Sequence, residues 1–382
     1  LVTLFEKQFV RGLSLILTAL LFFAQCKKEE TPPSGPPEFT HLEEEIDYLV
    51  EPFLHVGMVV GVIDKNQVKR VFAFGTKSTT TEEPPDEHTV FEIGSINKSF
   101  TCLIAAKNIL DGTFENDTVQ HYLPDDRVLL PDWNGVPVTL HSLLTHTSGI
   151  PRKPTDDGYD PPSGYNSKNP YATYTTDYMY AYLNDHCELL FEPGTAWEYS
   201  NSGMGLVGHI IGLADSSDYE TVLHREVFDV LGMGSSALFL TEEQKMNFAI
   251  GYDRNLAALP EFTAQDIMQG AGFIKSSVAD MFKYLEAQMG LEDTPLKPAI
   301  DYCHQPQLEL EYWGQQCIGW YRKVLDDGQQ ITYCGGNTIG FGSYLGFNES
   351  LSTGVILWYN ADFDDGANLI LGPQILQAIS KY

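Results

Sequence analysis

The sequence predicts a mixed α/β fold in which an antiparallel sheet takes strands from both ends of the chain, helices flank it, and a mostly helical lobe lies beside it. Three observations lead there. Two strand-like runs, residues 56–64 and 68–75, lie near the start, and four more lie beyond residue 316. Between them, about residues 100–270, helical spacing and loops prevail.

Residues 39–50 carry apolar side chains at helical spacing, and the runs at 56–64 and 68–75 read as a hairpin turning near Asn66. From Ser95 to about Leu110, Phe100, Ile104 and Leu110 with Ala105 and Ala106 describe a buried helix, ended by Asp111-Gly112. Residues 158–174, with Pro-Pro, Ser-Gly and Asn-Pro steps, form an irregular excursion of the kind that serves function or moves. Asp327-Gly328 between the runs at 317–324 and 330–334 signals a tight hairpin. Strands at 341–347 and 354–359 and a helix from about Ala367 complete the chain. No internal repeat is visible.

At 382 residues, 43% hydrophobic and 12% aromatic, the chain can bury a sizeable core, as one large domain or two lobes. Its net charge of -29, from 23 basic and 52 acidic residues, argues against nucleic acid as a partner, because polyanion binding needs cations that displace condensed counterions. The acidity reads as a well-solvated surface.

Lys7 and Arg11 precede an apolar run at residues 12–24, which is too short to span a membrane and fits a secretory signal. It ends in Phe23-Ala24-Gln25-Cys26, which resembles a bacterial lipoprotein cleavage box, looser than usual at Phe23 and Gln25. The expectation is a signal peptide over residues 1–25, lipid on Cys26, a polar tether over 26–38 and a catalytic domain over 39–382. That places the protein on the membrane of a bacterial envelope, on a periplasmic or surface face. An uncleaved anchor and a soluble secretory protein are the rival readings. Cys102, Cys187, Cys303, Cys317 and Cys334 remain, an odd number without metal-ligand spacing, and read as buried thiols.

Three segments carry chemistry. Ser95 is the only serine followed by a lysine three residues later, in Gly94-Ser95-Ile96-Asn97-Lys98, a spacing that puts both side chains on one helix face. A hydroxyl is a poor nucleophile at its own pKa, and an amine that loses its charge easily can act as its base. By itself the pair occurs by chance on many solvated helices. The second segment is Glu192-Pro193-Gly194-Thr195-Ala196-Trp197-Glu198-Tyr199-Ser200-Asn201, where a Pro-Gly turn leads to Tyr199-x-Asn201. A phenol near a lysine ammonium can be held as phenolate and relay a proton; the alternative is a packed aromatic with Asn201 as a helix cap. Tyr182-Leu183-Asn184 matches the same triplet but lies inside a helical run. The third is Cys334-Gly335-Gly336-Asn337-Thr338-Ile339-Gly340-Phe341-Gly342-Ser343, where glycines let a substrate approach the strand edge, unless they merely connect a hairpin.

Taken in this order, the three segments resemble the serine beta-lactamase and D,D-peptidase superfamily, in particular its branch of class C beta-lactamases, D-aminopeptidases and esterases. Leu143-Leu144-Thr145-His146-Thr147-Ser148-Gly149-Ile150-Pro151 looks like a loop of that branch, and Gln269-Gly270-Ala271-Gly272-Phe273-Ile274-Lys275-Ser276-Ser277 like its glycine-rich stretch. The resemblance runs from about residue 39 to 382. It implies a serine hydrolase that forms an acyl-enzyme on an ester, an amide or a peptide. Ser95 would attack, Lys98 would assist its deprotonation and Tyr199 would pass the proton on. Asn201 would bond the acyl side-chain amide, and the backbone N–H groups of Ser95 and Asn337 would form the oxyanion hole. Cys334, Gly335, Gly336 and Asn337 would line the substrate. No metal or organic cofactor is implied, and oligomeric state stays open. The rival of another class is a non-catalytic envelope lipoprotein that binds cell-wall peptides or a protein partner on the same scaffold.

One departure stands out: Cys334 occupies the place where this superfamily usually has Lys or His. Losing that cation implies weak activity on beta-lactams and D-Ala-terminated peptides, whose carboxylate it would face. Cys334 reads as a small strand residue rather than a nucleophile, since no histidine flanks it. Asp362, Asp364, Asp365 and Gly366 hint at a calcium loop, but Pro373 falls where the bidentate Glu belongs. His146 reads as a structural hydrogen-bonder.

Overall fold

The computed structural model describes residues 37–361 and 366–382; the expected signal, Cys26, most of the expected tether and Asp362, Asp364 and Asp365 lie outside the described residues. Eight strands form one antiparallel sheet and two more form a small ribbon. In chain order they are β1 (Gly57–Ile63), β2 (Lys69–Gly75), β3 (Val90–Glu92), β4 (Lys275–Ser277), β5 (Leu308–Leu310), β6 (Gly314–Gln316), β7 (Tyr321–Val324), β8 (Gln330–Asn337), β9 (Gly342–Asn348) and β10 (Thr353–Tyr359). The sheet runs β2-β1-β10-β9-β8-β7-β6-β5, and β3 pairs with β4. Both termini meet in one sheet, as the sequence predicts: Val60 of β1 lies opposite Leu357 of β10.

Alternation sets the two faces. Met58, Val60, Val62, Val355, Leu357 and Tyr359 point to one side, where helices α1 (Leu42–Val50) and α6 (Ala367–Ile379) cover them. Val59, Ile63, Ile356, Trp358, Leu345 and Phe347 point to the other, into the larger core shared with the remaining helices. We label the other described helices of nine or more residues α2 (Asn97–Leu110), α3 (Thr176–Asp185), α4 (Asn201–Asp215) and α5 (Val278–Gln288). Because both faces are covered, β1, β9 and β10 are buried along their whole length. Fully burying one Val, Leu, Ile or Phe side chain is worth roughly 1.5–3 kcal/mol, so these strands anchor the fold.

The Asp327-Gly328 hairpin forms as expected, Gly328 taking φ +85° and Val324 pairing with Gln330. The run at 317–324 is not one strand. The chain breaks pairing between β6 and β7 at Gly319, φ +77°, where a Cβ would stand 2.9 Å from the Ser99 Cα. That close approach presses the sheet against α2, and the alternation of apolar residues carries no trace of it. The expected helix from Ser95 likewise starts as a 3-10 turn, Gly94–Ile96, before α2. Residues 158–174 hold only a short 3-10 turn, Pro170–Thr173.

Candidate active site

Ser95 sits on the 3-10 turn after β3, and Gly94 before it takes φ +51°. The turn packs against the end of β8 so closely that glycine is required on both sides. A Cβ at Gly336 would stand 2.2 Å from the Ile93 carbonyl oxygen and 2.7 Å from the Ser95 nitrogen; one at Gly94 would stand 2.8 Å from the Asn337 nitrogen. Ser343 Oγ ties the two together, donating to the Ile93 carbonyl at 2.8 Å. The Ser95 and Asn337 nitrogens thus both lie at the tight junction between the turn and the end of β8.

Asn97 fastens the other flank. Its buried side-chain oxygen accepts from the Phe273 nitrogen at 2.8 Å and the Ile274 nitrogen at 3.2 Å, holding the segment before β4 against α2. This delivers the Ala271 carbonyl to Lys98, whose Nζ donates to it. Lys98 Nζ also lies 3.0 Å from Ser95 Oγ. On the far side, Ser200 caps α4 by accepting from the Gly203 nitrogen at 2.9 Å and donates to the Pro151 carbonyl at 3.0 Å. Tyr199, just before that cap, donates its hydroxyl to Ser95 Oγ at 2.7 Å. One hydroxyl thereby touches an amine and a phenol that stand 3 and 104 residues away in the chain.

Burial shifts both partners of Ser95. Burial, with the Arg152 charge adding to it, holds the Lys98 amine well below its ordinary value. Burial pushes the Tyr199 phenol up, against the lowering effects of its bond to Ser95 and of Arg152. The raised phenol is therefore not the expected phenolate: it keeps a proton beside Ser95 that it can give, while the lowered amine releases its own proton more readily than an ordinary lysine and is suited to act as a base. His146 packs on the Tyr199 ring, centroids 4.5 Å apart, and its Nδ1 accepts from the Ser200 nitrogen at 3.3 Å. Burial first, then Lys98 and Arg152, bring its pKa down to about 3, so it stays neutral. It is the structural hydrogen-bonder expected, placed directly behind the phenol.

The remaining expected residues divide. Gly335, Gly336 and Asn337 line a cleft of about 380 Å³ that opens over Ser95. Cys334 does not reach this cleft; it is buried and faces a chamber of about 40 Å³ behind Ser95, beside Lys98, Cys102 and Cys317. Burial raises its thiol well above the ordinary range, against a small effect of Ser99, so it is no thiolate. The five described cysteines are all free and buried. Asn201 turns its amide nitrogen to the Tyr171 hydroxyl at 2.8 Å, while its buried side-chain oxygen has no partner among the described residues. Tyr182, of the discounted triplet, lies within α3 and bonds Asp157 at 2.9 Å. Ala271, Arg152, Trp197 and Trp313 escape the sequence reading. Ala271 acts through its backbone, and the other three carry no spacing that marks them as cleft residues. No group of three or more His, Cys, Asp or Glu side chains among the described residues could hold a metal ion.

A hydroxyl held between an amine and a phenol, packed against the end of β8, defines a serine hydrolase. Residues 46–379 match the profile of the beta-lactamase family, and the chain belongs to that family. A beta-lactamase of Pseudomonas fluorescens is 25% identical over 90% of this chain and 100% of its own length. The D-alanyl-D-alanine-carboxypeptidase/endopeptidase AmpH of Escherichia coli K12 is 26% identical over 72% of this chain and 68% of its own. In three dimensions a class C beta-lactamase superposes with a TM-score of 0.74 over 88% of this chain and 96% of its own, at 22% identity. A beta-lactamase/D-alanine carboxypeptidase from Pseudomonas syringae gives 0.74 over 88% and 98%, at 20% identity.

Proposed function

We propose that this hydrolase forms its acyl-enzyme on Ser95. The observation that carries this is the double contact of Ser95 Oγ, 3.0 Å from Lys98 Nζ and 2.7 Å from the Tyr199 hydroxyl. Neutral Lys98 takes the Ser95 proton as Oγ bonds to the substrate carbonyl carbon, and the carbonyl oxygen gathers charge between the Ser95 and Asn337 N–H groups. Each such donor is worth about 2.7–4 kcal/mol in comparable sites. Tyr199 protonates the leaving group as the scissile bond breaks and recovers a proton from Lys98. Water then repeats the sequence on the acyl ester. The unpartnered Asn201 oxygen accepts from an N–H of the acyl group.

The relatives are named for beta-lactams and D-alanyl-D-alanine peptides. With Cys334 where the superfamily carries a cation, we propose that esters and amides without a carboxylate on the leaving group are the better substrates, and that nitrocefin is turned over slowly. Lys7, Arg11, the apolar run at 12–24 and Cys26 support export and lipidation, and so an envelope lipoprotein. A lipid-sized mass increment lost in Cys26→Ser would be expected.

Intact-protein mass after fluorophosphonate treatment tests the core of this reading. One adduct on the wild type, absent in Ser95→Ala, is expected. A wild type that takes no adduct would instead support a non-catalytic binding protein.

A further inference from the structure

The cleft over Ser95 is lined by one cation to which the proposed reaction assigns no substrate contact. Arg152 lines it together with Trp197, Glu198, Tyr199, Trp313 and the end of β8. Its guanidinium carbon lies 5.3 Å from the centroid of the Tyr199 ring. Among the described residues it forms no ion pair. Arg70, Arg127 and Arg225 each bond a carboxylate, and neighbouring Lys153 bonds Asp156 at 3.0 Å. Arg322, outside the cleft, likewise forms no ion pair among the described residues, so what sets Arg152 apart is its place in the cleft. Glu198 shares the cleft but does not come within ion-pair distance.

The backbone under Arg152 is fixed. Its carbonyl accepts from the Ser202 nitrogen at 3.0 Å and Ser202 Oγ at 3.2 Å, which moors it to the first turn of α4, beside Asn201. The side chain thus rises beside Tyr199 from a stretch moored to the start of α4, whereas Cys334 lies on β8 behind the cleft. Its charge reaches the reacting groups, since it contributes to the shifts of Lys98, His146 and Tyr199.

We propose that Arg152 is the specificity-determining residue for an anionic group on the acyl part of the substrate. This rests on the serine-hydrolase reading and deepens it. The superfamily's cation on the strand is replaced here by Cys334, and the positive charge of the site stands on the acyl side instead. The substrate class is an ester or amide whose acyl chain ends in a carboxylate. A guanidinium binds carboxylate through two parallel N–H donors, and among the described residues no carboxylate forms an ion pair with the Arg152 guanidinium over Tyr199.

The test is binding, so that it does not depend on turnover. On the full chain carrying Ser95→Ala, tryptophan fluorescence from Trp197 and Trp313 reads titrations of the mono-anilide of glutaric acid and of its neutral methyl ester. The anion is expected to bind at least tenfold tighter than the ester, with the preference shrinking as salt rises. Arg152→Gln is expected to cut the anion-to-ester ratio at least tenfold, and Arg152→Lys to restore part of it. Arg322→Gln, at an arginine outside the cleft, controls for general charge. A ratio near one in the parent, or one that Arg152→Gln leaves within twofold, overturns the proposal. Failure of the serine-hydrolase reading would show separately, as absent fluorophosphonate labelling of the wild type.

Discussion

Gly336→Ala tests whether the site is assembled by the contact of β8 with the Ser95 turn. The new methyl would meet the Ile93 carbonyl oxygen at 2.2 Å, the Ser95 nitrogen at 2.7 Å and Ser343 Oγ at 2.7 Å. Two of these are backbone atoms, which cannot swing aside, so the strand and the turn must part. Reaching ordinary contact at 3.4 Å needs an opening of about 1.2 Å along the shortest approach. Overpacking of this kind costs about 1–3 kcal/mol of stability. A misplacement of about 1 Å at a reacting centre costs about 100-fold in rate, which is about 2.7 kcal/mol of barrier. The assay is the second-order rate of fluorophosphonate labelling, with urea unfolding measured alongside. Gly234→Ala is the control, because nothing lies within 4 Å of the Cβ it would gain. Labelling of Gly336→Ala within twofold of wild type would refute the assembly argument.

Other perturbations probe the proton path and the buried charges. Lys98→Ala should slow acylation at least 1,000-fold, the upper part of the range for a lost general base. In the wild type the acylation rate should rise as Lys98 loses its proton and level off well below the ordinary lysine value near 10.4; a rate still climbing at pH 10 would contradict the lowered amine. His146, at about 3, adds no limb near neutrality. Tyr199→Phe should cost about 100- to 1,000-fold in kcat for substrates with poor leaving groups and less for p-nitrophenyl esters, which leave without a proton. Glu92 is pushed up to about 7 by burial, against the hydrogen bond it accepts from the Phe262 nitrogen and the charge of Lys275. Because its folded value lies above the ordinary 4.5, the unfolded chain releases this proton first, and stability falls as pH rises from about 4.5 towards 7. Glu92→Gln should remove up to about 3 kcal/mol of that fall, read as a flatter urea midpoint between pH 5 and 8; an unchanged slope would count against the neutral buried carboxyl.

The nucleophile, its amine and its phenol were legible as letters because each sits in a short segment with its own local logic. Ser95 and Lys98 share a helical spacing, Tyr199 precedes the cap of α4, and Gly335-Gly336-Asn337 ends a strand. The two-ended sheet was legible because alternating apolar runs lie at both extremes of the chain. The break at Gly319 was not, because its cause is the Ser99 backbone, far away in sequence.

What the amino-acid order determined by itself is therefore the element types and the chemical groups on offer, since periodicity, capping and turn propensity act over a few neighbouring residues. Tertiary structure decided the rest. The lowered amine of Lys98 and the raised phenol of Tyr199 follow from burial, the retreat of Cys334 from the cleft follows from how β8 is covered, and the entry of Arg152 into it follows from the mooring of residue 152 on α4. Desolvation and through-space charge depend on what surrounds an atom in three dimensions, and neighbours from distant parts of the chain supply most of it.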